Sequence, residues 1–301
     1  MKIIDYNQWS NTAEMLQILS QMLGKVKLQR VPAQPGWAHI LLYPTASGFT
    51  TGLIPKDSEG FIINLDILES RIYAKTTEGT TAGFKFDDGK SIKEYYNAFR
   101  NMLFEVICDT EIYPMPQEMS LKKPFNEDYG KRNYNKDDAK NYHKVATFVY
   151  NELTKFAAPY RNKKILPGLF WGTFDITTIL YSGEEAPFPG NTIIERSAFD
   201  EKLIEFGFWP GDSNYEKPTF FVLPYPFLTE DLSKSPIRPN KAFYSKEKSE
   251  FFLSLEDVMN YSNPSKAIQD FFHSAFTILA THERWHNVNW YEKPLLMPIQ
   301  P

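Results

Sequence analysis

Apolar residues along the first hundred positions pass from a helical spacing to short strand-like runs and back to a helical spacing. In residues 11–23 they recur every three to four positions, which predicts a helix that Gly24 ends. A second helix is predicted from Ser91 to Cys108. Between the two helices lie five strand-like runs, separated by Gly, Pro and Asp turn signals: AHILLY (38–43), FTTGLI (49–54), FIINLDI (61–67), RIYAKTT (71–77) and AGFKF (82–86). This part is therefore predicted to be a helix, an antiparallel meander and a helix.

The same order returns after a polar segment at 124–138. A helix is predicted near 139–158. A final helix is predicted to open at Asn263 and Pro264, because asparagine is a favoured N-cap and proline suits the first helical position. Strands are predicted near 169–181, 218–225 and 250–255. The sequence therefore predicts an α+β fold with antiparallel sheets and flanking helices.

The two closing helices can be overlaid without a gap, SIKEYYNAFRNML (91–103) on AIQDFFHSAFTIL (267–279). The overlay pairs Ile92 with Ile268 and Leu103 with Leu279. This match favours an internal duplication, although two amphipathic helices with one periodicity would give it as well. The predicted organisation is two related α+β halves, 1–120 and 139–301, joined by a polar loop at 121–138 and packed as one unit.

Composition places the chain among ordinary globular proteins. Its 301 residues, 42% of them hydrophobic, are enough to bury a full core. The balance of 33 basic and 37 acidic residues gives a net charge of -4, without the basic excess of a nucleic-acid binder. No apolar run reaches the length of a signal peptide or a membrane span, so we predict a cytoplasmic location with neither nucleic acid nor membrane as a partner. A single cysteine, Cys108, excludes an intrachain disulfide and a multi-thiolate metal site.

The segment HERWH (282–286) matches the H-E-x-x-H pattern, in which two histidines one helical turn apart bind zinc and the glutamate acts as a base. A catalytic zinc needs three protein ligands, yet no histidine follows His286 and Glu292 is the only carboxylate downstream. If the final helix continued through the motif, His282 and His286 would extend its core-facing stripe. We therefore predict a packing helix with no metal or cofactor. A zinc-dependent hydrolase using His282, Glu283 and His286 is the alternative.

Aromatic residues make up 16% of the chain, which favours a stacking pocket. If the segment LFWGTFDITTILYSG (169–183) is one continuous strand, its alternation places polar and aromatic side chains on one face and apolar ones on the other. An aspartate in mid-strand opposes strand preference, so Asp175 needs a partner or a function. Two further aromatic residues stand beside Pro and Gly turn signals. The candidate ligand-binding residues are therefore Trp171, Thr173, Asp175, Tyr181, Trp209 and Tyr225.

A series of motifs resembles a domain-of-unknown-function family of bacterial proteins. In chain order these are QMLGKVKL (21–28), FWGTFD (170–175), YSG (181–183), GFWPG (207–211), PYP (224–226) and EFFLSLEDV (250–258). The resemblance covers nearly the whole chain and implies one intact unit, but it transfers no catalytic residue. The chain departs from the family's usual His and Arg residues around these motifs, with Leu169 before FWG, Leu180 before YSG and Glu184 after it. The H-E-x-x-H pattern is no part of the resemblance.

Three hypotheses about function follow. The first is a small-molecule binding protein that uses the aromatic and polar face. The second is an enzyme, either the zinc-dependent hydrolase or a hydrolase with Asp175 as its acid or base; no Gly-rich phosphate loop, nucleophile elbow or cysteine-centred site supports it. The third is an oligomeric scaffold protein. The sequence leaves the ligand, the oligomeric state and the presence of enzymatic activity open.

Overall fold

The computed structural model describes residues 1–107 and 111–296. Cys108, the predicted end of the second helix, lies outside these ranges. In them, no helix combines the length and the apolar character needed to cross a bilayer. The chain forms two compact units, each built from separate segments. The first unit comprises Met1–Phe148, Gly168–Ile176 and Pro210–Lys217, and the second comprises Val149–Pro167, Thr177–Trp209 and the chain from Pro218 onward.

The first unit contains two helices that pack on an antiparallel sheet. The sheet has the strand order β1-β2-β4-β5-β6, and β3 pairs with β4. A third helix, α3 (Lys136–Ala157), begins in this unit and continues into the second one. The remaining elements of the unit are α1 (Tyr6–Arg30), β1 (Tyr43–Thr45), β2 (Gly48–Thr50), β3 (Ile54–Lys56), β4 (Glu59–Asp66), β5 (Arg71–Thr76), β6 (Thr81–Lys85) and α2 (Ile92–Ile107).

Helix α1 is the central element of the first unit. Every residue from Ile18 to Lys27 is buried, so this part of the helix is enclosed on all sides rather than on one face. The enclosed stretch includes Gln21, Lys25 and Lys27 among its apolar residues. Because amide and ammonium groups are costly to bury, each of the three needs a partner inside the unit.

The second unit holds a six-stranded sheet in the order β11-β12-β10-β9-β8-β7. Phe272 of its long helix packs edge-on against Phe206 and Phe220 of the sheet, with ring centroids 5.6 and 6.0 Å apart. The turn between the first two strands, together with the strand ends beside it, belongs to the first unit. The elements are β7 (Lys164–Phe170), β8 (Asp175–Glu185), α4 (Ile193–Ala198), β9 (Glu201–Trp209), β10 (Thr219–Tyr225), β11 (Phe243–Ser245), β12 (Glu250–Ser254), α5 (Leu255–Met259), α6 (Pro264–His282) and α7 (Val288–Tyr291).

The structure confirms the α+β class, with antiparallel sheets and flanking helices. The start of α6 is also as predicted, because the Asn263 side-chain oxygen accepts a hydrogen bond from the Lys266 backbone N–H at 3.0 Å. Three local predictions are wrong. Gly24 lies inside α1, residues 35–40 form a 3₁₀ helix instead of the start of a strand, and 169–181 is a hairpin instead of one strand. Strand β9 is an element that the sequence patterns do not predict, because the Pro and Gly residues near its end were interpreted as turn signals.

Internal duplication stays a prediction. The overlaid positions Ile92 and Ile268, and likewise Leu103 and Leu279, are buried in α2 and α6. A shared helical period gives the same burial without common ancestry. The domain boundaries predicted at 120 and 138 stay a prediction as well.

Candidate functional site

The segment that carries most of the predicted ligand-binding residues is a tight turn. Strand β7 ends at Phe170, four residues form the turn, and β8 begins at Asp175. Phe174 adopts a left-handed backbone conformation (φ 66°), and its N–H donates to the Phe170 carbonyl at 2.8 Å. Because the chain reverses here, the alternation of faces expected for one continuous strand does not exist. Asp175 is consequently at a strand start, where an aspartate is far less unusual than in mid-strand.

Trp171 of this turn is a packing residue. Its side chain is 2% exposed, and its indole Nε1 donates to the Ile40 carbonyl at 3.1 Å. The indole lies so close to α1 that a Cβ built on Gly24 would be 2.0 Å from Nε1. Gly24 is therefore inside the helix because no larger residue fits beneath Trp171, rather than because the helix ends there.

Asp175 follows Trp171 by four residues and has a different environment. Its buried carboxylate accepts a hydrogen bond from the Thr173 hydroxyl. Burial raises the pKa of Asp175 to about 6, and the negative charge of Glu118 adds to this rise. Of the three predicted residues in the turn, Thr173 and Asp175 are thus paired with each other, and Thr173 is exposed to solvent.

A stack of three rings runs beside Asp175. Tyr142 of α3 lies between Trp9 and Phe174, with ring centroids 5.2 and 5.1 Å away. Its buried hydroxyl has no hydrogen-bond partner among the described residues. Burial, and to a smaller extent the charge of Asp175, raises the pKa of Tyr142. The stack therefore connects Trp9, near the start of α1, to the turn that holds Asp175.

The polar residues of α1 hold an irregular segment against the helix. Gln17, Gln21 and Lys25 are spaced four residues apart and lie on one face. The Gln21 side chain donates to the Gln117 carbonyl at 2.7 Å and accepts from the Gln117 N–H at 2.9 Å. Lys25 Nζ donates to the Gln117 side-chain oxygen at 2.9 Å, and Gln17 donates to the Gly172 carbonyl at 2.6 Å. These bonds satisfy the buried amides and position residue 117 over α1.

Two lysines of α1 have a lowered pKa. Burial lowers the pKa of Lys25 and of Lys27 to about 8, because the charged ammonium loses its hydration. Lys27 Nζ donates to the Leu41 carbonyl at 2.5 Å and lies 4.7 Å from the centroid of the Tyr43 ring. Burial, and next the charge of Lys27, lowers the pKa of His39. The buried part of α1 therefore carries two amines, on different faces of the helix, that lose a proton more readily than ordinary lysines.

An open cleft of about 580 Å³ lies at the start of α1. Its walls are residues 7–12, Asp88 and residues 133–138. The Asn135 N–H donates to the Thr12 hydroxyl at 2.9 Å, and the Tyr134 N–H donates to the Asp88 carboxylate at 3.1 Å. These bonds join the walls of the cleft within the first unit. Its lining is rich in amide and carboxylate side chains, and Trp9 lies among them as a buried residue.

The other three predicted residues belong to the second unit and lie on one face of its sheet. Tyr181 is buried, and Lys163 Nζ lies 4.2 Å from its ring centroid. Tyr225 packs against Phe199 at 4.8 Å and Phe227 at 5.4 Å. The six predicted residues are therefore divided equally between the two units, and neither unit contains a pocket made of all six.

A sequence model described as a family of unknown function, DUF5996, matches residues 2–291. The chain belongs to this DUF5996 family. No curated protein and no solved structure matches the chain.

Leu169, Leu180 and Glu184, the residues that flank the FWG and YSG motifs, are where the sequence departs from the pattern expected of the family. Leu169 and Leu180 are completely buried, and the Leu169 N–H donates to the Leu42 carbonyl at 2.8 Å. Glu184 accepts a hydrogen bond from Lys202 at 2.7 Å. In this member of DUF5996, residues 169 and 180 are therefore core positions. They present no charged group to a ligand.

The HERWH segment does not form a helical zinc motif. Helix α6 ends at His282, Glu283 is its C-cap, and Arg284 is left-handed (φ 55°). The prediction that both histidines face the core is wrong, since His286 is 79% exposed and Trp285 is the buried residue of the motif. His282 and His286 instead lie 3.6 and 3.7 Å from the carboxylates of Glu230 and Glu184. Across residues 1–107 and 111–296, no cluster of three or more His, Cys, Asp or Glu side chains is placed to hold a metal ion.

Sequence reasoning missed the cleft of the first unit and the two buried lysines. The cleft segments, NQWSNT (7–12) and NYNKDD (133–138), are both dense in Asn and Asp around an aromatic residue, which was the available signal. Lys25 and Lys27 stand in the apolar run QMLGKVKL, where two charges inside a helix of buried residues signal an unusual environment. Neither signal shows which segments meet in space.

Proposed function

We propose that the first unit binds a small polar molecule in the cleft between the start of α1 and the start of α3. The observation that carries the proposal is the cleft itself, whose volume of about 580 Å³ lies within the range of small-molecule sites, about 300–1,000 Å³. This keeps the function predicted from the sequence and moves the site from the sheet face to the cleft.

The chemistry of the cleft favours a ligand rich in hydrogen-bond donors. Asp88, Asp137 and Asp138 supply carboxylate oxygens against the single cation of Lys136. Carboxylate groups only accept hydrogen bonds when ionised, and amide side chains accept through their oxygens. An amine or a polyol fits this combination better than a phosphate or a carboxylate does.

Asn11 and Asn133 are suitable positions for testing the proposal, because both side chains are exposed on the cleft walls. We would titrate the protein with spermidine as an amine probe and trehalose as a polyol probe, using isothermal titration calorimetry. We expect one of the two to bind, and the Asn11→Ala, Asn133→Ala double variant to weaken that binding about tenfold, through loss of two hydrogen bonds. Asn289→Ala is the matched control, since Asn289 is an exposed asparagine of the second unit.

The proposal fails if neither probe binds, or if the double variant binds as well as the wild type does. A zinc-dependent hydrolase and an oligomeric scaffold remain untested predictions, as does the cytoplasmic location. Thr173 and Asp175 are proposed as secondary positions, because the ring stack connects the cleft residue Trp9 to their turn.

A further inference from the structure

Lys25 is enclosed by aromatic rings inside the first unit. Its Nζ lies 5.4 Å from the centroid of the Tyr113 ring, 5.9 Å from that of Phe125 and 5.6 Å from that of Trp171. The residue is 1% exposed, and Gln117 accepts a hydrogen bond from Nζ. Three aromatic rings around an amine form an environment with little water, and the cleft of the first unit does not include it.

One wall of this enclosure faces solvent. Tyr113 is 63% exposed, whereas Phe125 and Trp171 are buried. Residues 111–124 form no helix or strand, so Tyr113 and Gln117 both belong to an irregular segment. A rotation of the Tyr113 side chain, without any change in a helix or a strand, would uncover Nζ. Loops and single side chains move on far shorter timescales than packed elements do.

We propose that Lys25 is a nucleophilic amine that condenses with small planar aldehydes entering past Tyr113. A lysine that is desolvated in an apolar pocket is one of the established forms of activated nucleophile in enzymes. The lowered pKa of Lys25 supports this, since a larger fraction of the amine is unprotonated near neutral pH than in an ordinary lysine. The flat rings of Trp171 and Phe125 offer surfaces on which a planar carbonyl compound can stack.

The reaction requires no oxidant or metal. Nζ first loses a proton to water, and its lone pair then attacks the carbonyl carbon of the aldehyde. The carbonyl electron pair moves to oxygen, a second Nζ proton is transferred to that oxygen, and a carbinolamine forms. Loss of its hydroxyl together with the remaining Nζ proton, as water, leaves a carbon–nitrogen double bond. The products are an imine at Lys25, one water molecule and the proton released to solvent in the first step.

The test uses benzaldehyde as the probe and sodium cyanoborohydride to reduce any imine to a stable amine. Peptide mass spectrometry, with fragment ions that separate Lys25 from Lys27, gives the labelling rate of each lysine in the folded wild-type protein. We expect Lys25 to be labelled roughly ten times faster than Lys27, although both are buried amines of α1. Tyr113 beside Lys25 is 63% exposed and belongs to an irregular segment, whereas Tyr43 beside Lys27 is 37% exposed and belongs to β1. Equal rates at the two residues, or label only at exposed lysines, would overturn the proposal.

A pair of tyrosine variants tests the entry route. Tyr129 is also an exposed tyrosine that covers a lysine, with Lys93 Nζ 4.3 Å from its ring centroid. Tyr113→Ala should speed up labelling of Lys25 severalfold, and Tyr129→Ala should leave the rate at Lys25 unchanged. The proposal fails if Tyr113→Ala does not change the rate at Lys25, or if Tyr129→Ala changes it equally.

Discussion

The hairpin turn of the first unit and the end of α6 in the second unit differ in how far their charged residues are buried. At the turn, Asp175 is buried beside Trp171, and its pKa is raised to about 6. At the end of α6, His282 and His286 lie near carboxylates at a solvent-exposed surface. The recognisable catalytic motif thus has its two histidines near the surface, whereas the buried aspartate lies outside the motif, at the turn. Burial, rather than spacing in the sequence, is what makes a charged group chemically unusual.

The largest expected difference between the two regions concerns their tryptophans. Trp171→Ala should lower the free energy of unfolding by about 4 kcal/mol, because it removes a buried indole and leaves a cavity against Gly24. Trp290→Ala, at an exposed position just beyond the HERWH segment, should change it by less than about 0.5 kcal/mol. Urea unfolding followed by circular dichroism measures both. Similar decreases in the free energy of unfolding for the two variants would contradict the predicted difference in packing between Trp171 and Trp290.

The next effect depends on pH. The pKa of Asp175 is higher in the folded protein than in the unfolded chain, so its contribution to stability is fully present below about pH 4 and is lost as the pH rises through about 6. The Asp175→Asn variant has no carboxyl group to ionise at this position, so it does not lose this stability as the pH rises. We expect the variant to be about as stable as the wild type at pH 4 and roughly 3 kcal/mol more stable at pH 7.5. Urea unfolding at the two pH values checks the prediction.

Glu184 serves as the matched acid in the second region, and its effect has the opposite sign. The hydrogen bond from Lys202 holds the pKa of Glu184 below its usual range. Its contribution is therefore present at neutral pH and is lost as the pH falls through the lowered pKa. Glu184→Gln should accordingly be less stable than the wild type at pH 7.5 and equal to it at strongly acidic pH. A variant of either residue that shows the other's pH profile would contradict the electrostatic contrast.

The smallest effect is expected for the histidines. The His282→Ala, His286→Ala double variant should change the free energy of unfolding by less than about 0.5 kcal/mol per residue, since both imidazoles are solvent-accessible and contact only a surface carboxylate at 3.6 and 3.7 Å. We also expect the zinc content of the purified protein, measured by elemental mass spectrometry, to be the same in variant and wild type. Stoichiometric zinc that disappears in the variant would restore the hydrolase hypothesis.

Sequence patterns predicted those elements whose cause is local. The start of α6 follows from Asn263 and Pro264, which act on neighbouring backbone groups. The length of α1 could not be predicted from local patterns. Gly24 does not end the helix; it leaves room for the indole of Trp171, a residue far away in the chain. The hairpin turn could not be predicted either, since Phe174, and not a glycine, adopts the left-handed conformation.

The candidate cleft depends even more on contacts between residues that are distant in the chain, which sequence patterns do not predict. Its walls meet through a hydrogen bond between Thr12 and Asn135, which are 123 residues apart. Periodicity and turn chemistry describe each wall separately, but they carry no information about which distant segments pair. Trp171, Thr173, Asp175 and Tyr181 were predicted to share one strand face, but the chain reversal at 171–174 places them in different environments.

The division of the chain into interleaved segments affects how the protein can be synthesised. Proteins emerge from the ribosome from the N-terminus, and a domain generally folds once all of its chain is available. The first unit includes residues 168–176 and 210–217, so its full set of residues exists only after most of the 301 positions have been translated. Until residues 168–176 have been synthesised, α1 lacks the Trp171 side chain that packs on Gly24 in the middle of its nearly unbroken buried stretch. The nascent chain is therefore exposed to aggregation and to chaperones for longer than a protein of contiguous domains would be.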